Sequence, residues 1–154
     1  MGREIERKFL VVGEAWRTAA QGELCRQGFL ANSESRTVRV RRLGEGASLT
    51  IKGAQVGATR REYEYPIPVA DADEMLDQLC EGPLIEKRRF TVRHGDHVWE
   101  VDEFLGDNAG LVVAEVELAS EDEAVALPPW VGEEVTHDPR YLNANLVRHP
   151  YGRW

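Results

Sequence analysis

The chain of 154 residues has only two cysteines, Cys25 and Cys80, far apart and outside any Cys-x-x-Cys or Cys/His cluster. That excludes a disulfide scaffold and a thiolate zinc site, and both read as small apolar residues for the interior. No run approaches the ~20 apolar residues of a membrane-spanning helix. The opening MGREIERKFL carries no apolar stretch of the signal-peptide kind, so a cytoplasmic protein without a membrane partner is expected. Basic charge is in deficit, 19 Lys and Arg against 27 Asp and Glu for a net −8, which disfavours a nucleic-acid module working through a basic surface. The histidines His94, His97, His137 and His149 fall in turns, near strand ends or near the C-terminus, with no Ser or Cys partner in a nucleophile motif. Trp16, Trp99, Trp130 and Trp154 are too scattered for a base-stacking platform. No solenoid repeat, low-complexity tract or linker is present, and 42% hydrophobic residues suffice for one core, so residues 1–154 are read as a single domain.

Hydrophobicity alternates with a period of two in short segments separated by Gly, Pro, Asn and Asp, the pattern of an antiparallel sheet. Strands are expected at 3–11, 23–31, 35–43, 47–53, 59–67, 84–94, 97–105 and 110–119, enough to close a small barrel. Helices are few. One is expected from Ala70 to Glu81 with Asp71 as N-cap and Gly82-Pro83 as stop, and one from Ala124 to Leu127 behind a Ser120–Glu123 capping box. A third is expected at 139–147 behind Asp138, and a short one at Gly13–Ala20. The fold class is therefore mainly β (α+β), an eight-stranded antiparallel closed β-barrel with a few flanking helices.

Residues two apart on a strand share a face. Glu4, Glu6 and Lys8 thus project together, as do Arg39 with Arg41, Thr50 with Lys52, Glu62 with Glu64, Lys87 with Arg89, Glu100 with Asp102, and Glu115 with Glu117. A sheet with one wet face accounts for any single pair. The set is harder to explain that way, because acidic and basic pairs are segregated by segment and nothing on an open face favours like charges side by side. The opposite parity holds Val38, Val40, Leu49, Ile51, Trp99, Val101, Val116 and Leu118, which need burial beneath helices. The barrel is then inverted, with a polar lumen and an apolar exterior. Metal ions would offset the carboxylates of such a lumen and an anion its cations, demands that a metal-bound polyphosphate meets.

Glu4-Ile5-Glu6-Arg7-Lys8 is an ExExK motif at the N-terminus. With Arg39-Val40-Arg41, Thr50-Ile51-Lys52, Glu62-Tyr63-Glu64, Lys87-Arg88-Arg89, Glu100-Val101-Asp102, Glu115-Val116-Glu117 and the run Asp138-Pro139-Arg140-Tyr141-Leu142-Asn143, the chain resembles the CYTH superfamily of triphosphate tunnel metalloenzymes. In length it resembles the short bacterial inorganic triphosphatases. The resemblance implies Mg²⁺ or Mn²⁺ on Glu4, Glu6, Glu115 and Glu117, with Glu62, Glu64, Glu100 and Asp102 as further ligands or outer partners. It implies that Arg39, Arg41, Lys52, Lys87 and Arg89 hold phosphate oxygens, with Arg60 a weaker candidate. Lys8 would stand beside the metal carboxylates and the reacting phosphate. Many short relatives resemble a Gln-Gly-Tyr-Leu pattern where this chain has Gln27-Gly28-Phe29-Leu30, and a ring without a hydroxyl is expected to pack.

The implied reaction is hydrolysis of a triphosphate, tripolyphosphate first, by in-line attack of a metal-activated water, with Lys8, Glu4 and Glu6 as catalytic residues. Lys8 would stabilise charge or take part in proton transfer. The alternatives are a class IV adenylate cyclase or thiamine triphosphatase of the same fold, and a polyphosphate-binding module without turnover. The acidic set favours an enzyme, since anion binding needs only the basic half. The segment 138–147 is expected to cap one tunnel mouth, and apolar outer faces allow pairing as a homodimer.

Overall fold

In the computed structural model, which describes residues 2–19 and 22–154, one antiparallel sheet of ten strands curls on itself. The strands are β1 (Glu4–Val11), β2 (Glu23–Asn32), β3 (Arg36–Leu43), β4 (Gly46–Gly53), β5 (Thr59–Arg60), β6 (Glu62–Pro66), β7 (Glu81–His94), β8 (His97–Phe104), β9 (Val112–Glu117) and β10 (Val131–Glu134). They lie in the order β10-β1-β9-β8-β7-β2-β3-β4-β6. The count exceeds the eight expected from alternation. Segment 59–67 breaks at Arg61 into β5 and β6, and the unalternating Val-Gly-Glu-Glu of β10 pairs with β1. The sheet is a curled half-barrel where a closed barrel is expected: among the described residues its ends meet only at β5, which pairs Glu4 with Arg60 and Ile5 with Thr59, and at the Glu62 amide, which donates to the Gly2 carbonyl at 3.2 Å.

The expected inversion is observed. Outward residues of β1, β7, β8 and β9, among them Phe9, Phe90, Val92, Trp99, Val101, Ala114 and Val116, pack with Trp16 and Trp130 from the covering segments. Trp99 meets Trp130 edge-on at 5.8 Å, a geometry that contributes about 0.5–1.5 kcal/mol beyond burial. A second outer cluster sets Val40 of β3 against Ala72 and Leu76 of helix α1 (Val69–Gln78). A third cluster has the opposite parity. Phe29, Ile85, Phe104 and Val113 share the inner face with the charges and pack against Tyr141, Leu146 and Val147 of the C-terminal segment.

The helices depart from expectation in instructive ways. Pro68, not Asp71, takes the N-cap position of α1, because its fixed φ suits a helix start. Asp71 falls in the first turn, where the helix dipole favours a carboxylate. The helix ends at Gln78, and Gly82-Pro83 lies at the start of β7, where Pro forfeits no interior ladder bond. No helix forms at 124–127. The run is one turn long, and Pro128 disfavours helical backbone at Leu127, so Glu123 instead accepts from the Ala119 amide in a turn. The segment expected at 139–147 is a 3-10 turn, Pro139–Tyr141, capped by Asp138 as expected, then an extended Leu142 and helix α2 (Asn143–Arg148). Ala15–Ala19 forms a 3-10 turn, and Ala20 of the expected helix lies outside the described residues. No described helix is long and apolar enough to cross a membrane.

Gly28 has a steric reason. A Cβ there would stand 2.6 Å from Leu84 Cδ2 and 2.7 Å from Cys80 Sγ, so the Leu84 and Cys80 side chains fill the space over Gly28 and would have to shift for any larger residue.

Candidate active site

The inner face of the sheet encloses a cavity of about 220 Å³. Its walls carry seven carboxylates, Glu4, Glu6, Glu62, Glu64, Glu100, Glu115 and Glu117, and seven cations, Lys8, Arg39, Arg41, Lys52, Arg60, Lys87 and Arg89. Of the charged residues singled out by strand parity, Asp102 is the one that does not line the cavity. It lies 1% exposed behind the wall, and its oxygens accept from Lys87 Nζ at 2.6 Å and from Arg89 Nε and Nη2 at 2.8 and 2.9 Å. Strand register makes this geometry, since Arg89 stands directly opposite Asp102 across the β7–β8 ladder.

Charges that segregate along each strand pair across strands. Lys52 reaches Glu4 at 2.8 Å and Glu62 at 3.6 Å, Arg41 lies 3.7 Å from Glu64, and Arg89 donates to Glu100 at 3.2 Å. Lys52 is thus a cation on the acidic side, which alternation alone does not reveal. Three cations and three carboxylates stay outside this network. Among the described residues, Lys8, Arg39 and Arg60 have no carboxylate within 4.0 Å, and Glu6, Glu115 and Glu117 have no cation within that distance.

Arg39 is the most exacting of these. Nη2 donates to Thr50 Oγ1 at 3.3 Å, and Nε is buried with no acceptor. Burial, with Arg41 and Arg89 nearby, lowers its guanidinium to about 10. On the acidic side, burial and the charges of Glu115 and Glu4 push Glu6 well above the carboxylate range. For Glu115, burial is outweighed by Lys8 and by a hydrogen bond from Glu6, and it stays ionised well below that range. The two therefore share one proton. Burial and Glu4 raise Glu62 to about 7. Burial likewise pushes Asp102 up, but Lys87 and Arg89 outweigh it and hold the carboxyl below its ordinary value.

No three His, Cys, Asp or Glu side chains among the described residues are gathered closely enough to hold a metal ion as they stand. The donor set nevertheless fits a hard divalent cation. Glu6, Glu115 and Glu117 are cation-free carboxylates on one wall, two of them sharing a proton that a cation would displace, and Glu4 is beside them on β1.

Neutral side chains complete the site and escape a search for charge. Lys8 Nζ donates to the Tyr141 carbonyl at 3.4 Å. Asn143 Oδ1 accepts from Lys87 Nζ at 3.0 Å and from Gln27 Nε2 at 2.8 Å. Leu142, Asn143 and Ala144 form part of the cavity wall. Phe29 packs as expected, 3% exposed in the inner apolar cluster, with one edge on the cavity. The signals for Gln27 and Asn143 are their places in the Gln27–Leu30 and Asp138–Asn143 runs. Of the histidines, His97 is tied to Glu123 at 2.5 Å, and none lines this cavity.

The sequence model of the CYTH domain matches residues 2–151. The chain is 52% identical over 151 residues to an inorganic triphosphatase of Acetivibrio thermocellus, covering 98% of this chain and 97% of that one. It is 42% identical over 152 residues to an inorganic triphosphatase of Nitrosomonas europaea, covering 94% and 96%. The crystal structure of the inorganic triphosphatase NE1496 superposes with a TM-score of 0.66 at 37% identity, covering 94% of this chain and 93% of that one.

Proposed function

The chain belongs to the CYTH domain family, and from that premise we propose that it hydrolyses inorganic tripolyphosphate to pyrophosphate and phosphate in the cavity of its sheet. The observation that carries this reading is Arg39, a half-buried cation on the cavity wall with no carboxylate within 4.0 Å among the described residues and an unpartnered Nε. A guanidinium on the cavity wall without a counter-ion is a donor that a phosphate oxygen can take up in a charge-assisted contact. Arg41, Lys87 and Arg89 stand on the same wall, where the arginines offer forked donors and the lysine a point charge.

Holding a triphosphate this way does most of what phosphoryl transfer requires, because the reaction needs positioning and charge neutralisation more than covalent help. Lys8 is 6% exposed and stands opposite Glu115 across the β1–β9 ladder, where the acidic and basic walls meet. Close to Glu6 and Glu115, its ammonium supports the charge that grows on the transferred phosphoryl. Glu4, Glu6, Glu115 and Glu117 would hold Mg²⁺ or Mn²⁺, with Glu62, Glu64 and Glu100 in support. A divalent ion bound there supplies charge neutralisation at the phosphates and a water of lowered pKa. Asp102 acts behind the wall by holding Lys87 and Arg89 rather than as a ligand. The C-terminal segment from Asp138 to Arg148 stoppers one end of the tunnel, since its apolar side fills the space between Phe29, Ile85, Phe104 and Val113. Phe29 of β2, the one aromatic ring on the cavity among the described residues, packs against that stopper, which supports tripolyphosphate over ATP.

The test is phosphate release from tripolyphosphate, ATP and thiamine triphosphate with Mg²⁺, with Mn²⁺ and with EDTA. Metal-dependent release, fastest from tripolyphosphate, is expected. Cyclic AMP from ATP as the main product, or tight binding without turnover, would overturn the reading.

A further inference from the structure

The stopper reaches the charged wall at one side chain. Asn143 opens α2, and its Oδ1 accepts from Lys87 Nζ of β7 at 3.0 Å and from Gln27 Nε2 of β2 at 2.8 Å. Both donors are deep in the wall, with Lys87 1% and Gln27 0% exposed. An ammonium has three donors. One goes to Asp102 at 2.6 Å and one to Asn143, while the Phe104 ring stands 5.2 Å from the nitrogen. Lys87 lines the cavity, so its third N–H is the one left for a ligand.

We propose that Asn143 is a positioning residue, a neutral acceptor carried by the C-terminal stopper that fixes the Lys87 ammonium so that its remaining N–H meets a phosphate oxygen. The neutrality of the amide is essential. A carboxylate at this place would accept the same two hydrogen bonds, but with Asp102 it would put two negative charges on one ammonium, and the cavity would repel the anion it must bind. Gln27 holds the amide oxygen toward Lys87 from the other side, and Cys25 Sγ in turn contacts Gln27 Oε1 at 3.7 Å. Seating of the stopper and grip on the substrate thus become one event.

This inference rests on the triphosphatase reading, and the experiment separates the two. Binding of inorganic tripolyphosphate in EDTA is measured by calorimetry, and its hydrolysis with Mg²⁺ by phosphate release. Asn143→Leu keeps the size of the side chain and removes the acceptor. Its KM and Kd for tripolyphosphate are expected to rise about tenfold, the loss of one charge-assisted contact, with a smaller change in kcat. In a Lys87→Met background the same substitution is expected to add nothing further, because the residue acts through Lys87. Asn143→Asp, which keeps both hydrogen bonds, is expected to retain the wild-type Tm and still raise KM. Wild-type KM in Asn143→Asp, or an undiminished effect of Asn143→Leu in the Lys87→Met background, would overturn the proposal. A wild-type protein that neither binds nor cleaves tripolyphosphate would instead overturn the function reading.

Discussion

Asp102→Asn probes the wall behind the substrate site. The native carboxylate, 1% exposed, serves two cations at 2.6–2.9 Å. The amide keeps the shape and one acceptor but removes the charge, leaving Lys87 and Arg89 buried beside each other. Breaking a buried ion pair by removing one partner costs about 3–5 kcal/mol. For a chain of this size each kcal/mol moves Tm by about 2–4 °C, so a fall of about 6–20 °C is expected by calorimetry in EDTA. The lost negative charge can be returned from solution. Tripolyphosphate at 100 times its Kd adds about 2.7 kcal/mol to any folded form that binds it. Because Asp102→Asn leaves the wall more cationic, it should bind the anion more tightly and recover more of its Tm than wild type gains. Were Asp102 a metal ligand instead, the metal-free Tm would scarcely move and only Mg²⁺ affinity would drop. A metal-free Tm within about 2 °C of wild type would therefore refute the assignment of Asp102 to the cations.

Three further outcomes follow from the same geometry. Glu4→Gln and Glu117→Gln should each reduce Mg²⁺-dependent hydrolysis by about a hundredfold or more while the protein stays folded, and near-wild-type turnover in either removes it from the ligand set. In EDTA the protein should lose stability as pH rises from about 4.5 to 7. Burial and Glu4 raise Glu62 from 4.5 to about 7, and Glu6 is raised too, so the folded state keeps protons that the unfolded chain has released. For the partly exposed Glu62 that loss is on the order of 1 kcal/mol after solvent screening, and Mg²⁺ should raise Tm more at pH 8 than at pH 5; a metal-free Tm rising across this window contradicts the assignment. Gly28→Ala places a Cβ against Cys80 and Leu84 and should destabilise by about 1–3 kcal/mol in urea denaturation, whereas an unchanged midpoint would mean that these two side chains yield freely.

Alternation carried most of the fold because its cause is local. In β1, β3, β4, β7, β8 and β9 the parity of the paired charges marks the lumen face, although Ile85, Phe104 and Val113 share that face beneath the C-terminal segment. It is silent where a strand owes its existence to a neighbour, as with β10, whose Val-Gly-Glu-Glu has no pattern and forms only because β1 offers a free edge. It misleads at 124–127, where a capping-box sequence precedes too few residues before Pro128. For the site, parity assigns a face but not a depth or a partner. Asp102 has the same parity as Glu100, yet register sets it opposite Arg89 and out of the cavity, while Lys52 crosses to carboxylates on two other strands. Gln27 and Asn143 carry no charge to draw attention, and their meeting joins residues 116 positions apart.

Of the seven carboxylates and seven cations around the cavity, four carboxylates are already tied to Lys52, Arg41 and Arg89 in the resting lumen, and Lys87 is tied to Asp102 behind it. Ligand uptake is then an exchange rather than a filling. A phosphate oxygen that takes Arg41 or Arg89 frees Glu64 or Glu100, and a shift of Lys52 toward the anion frees Glu4 and Glu62. Of the carboxylates let go by the anion, Glu4 belongs to the set proposed to hold the divalent cation, and Glu62, Glu64 and Glu100 stand in its support. Each ion therefore prepares the site of the other, and by thermodynamic linkage the help is mutual: metal should tighten tripolyphosphate by the same factor that tripolyphosphate tightens metal.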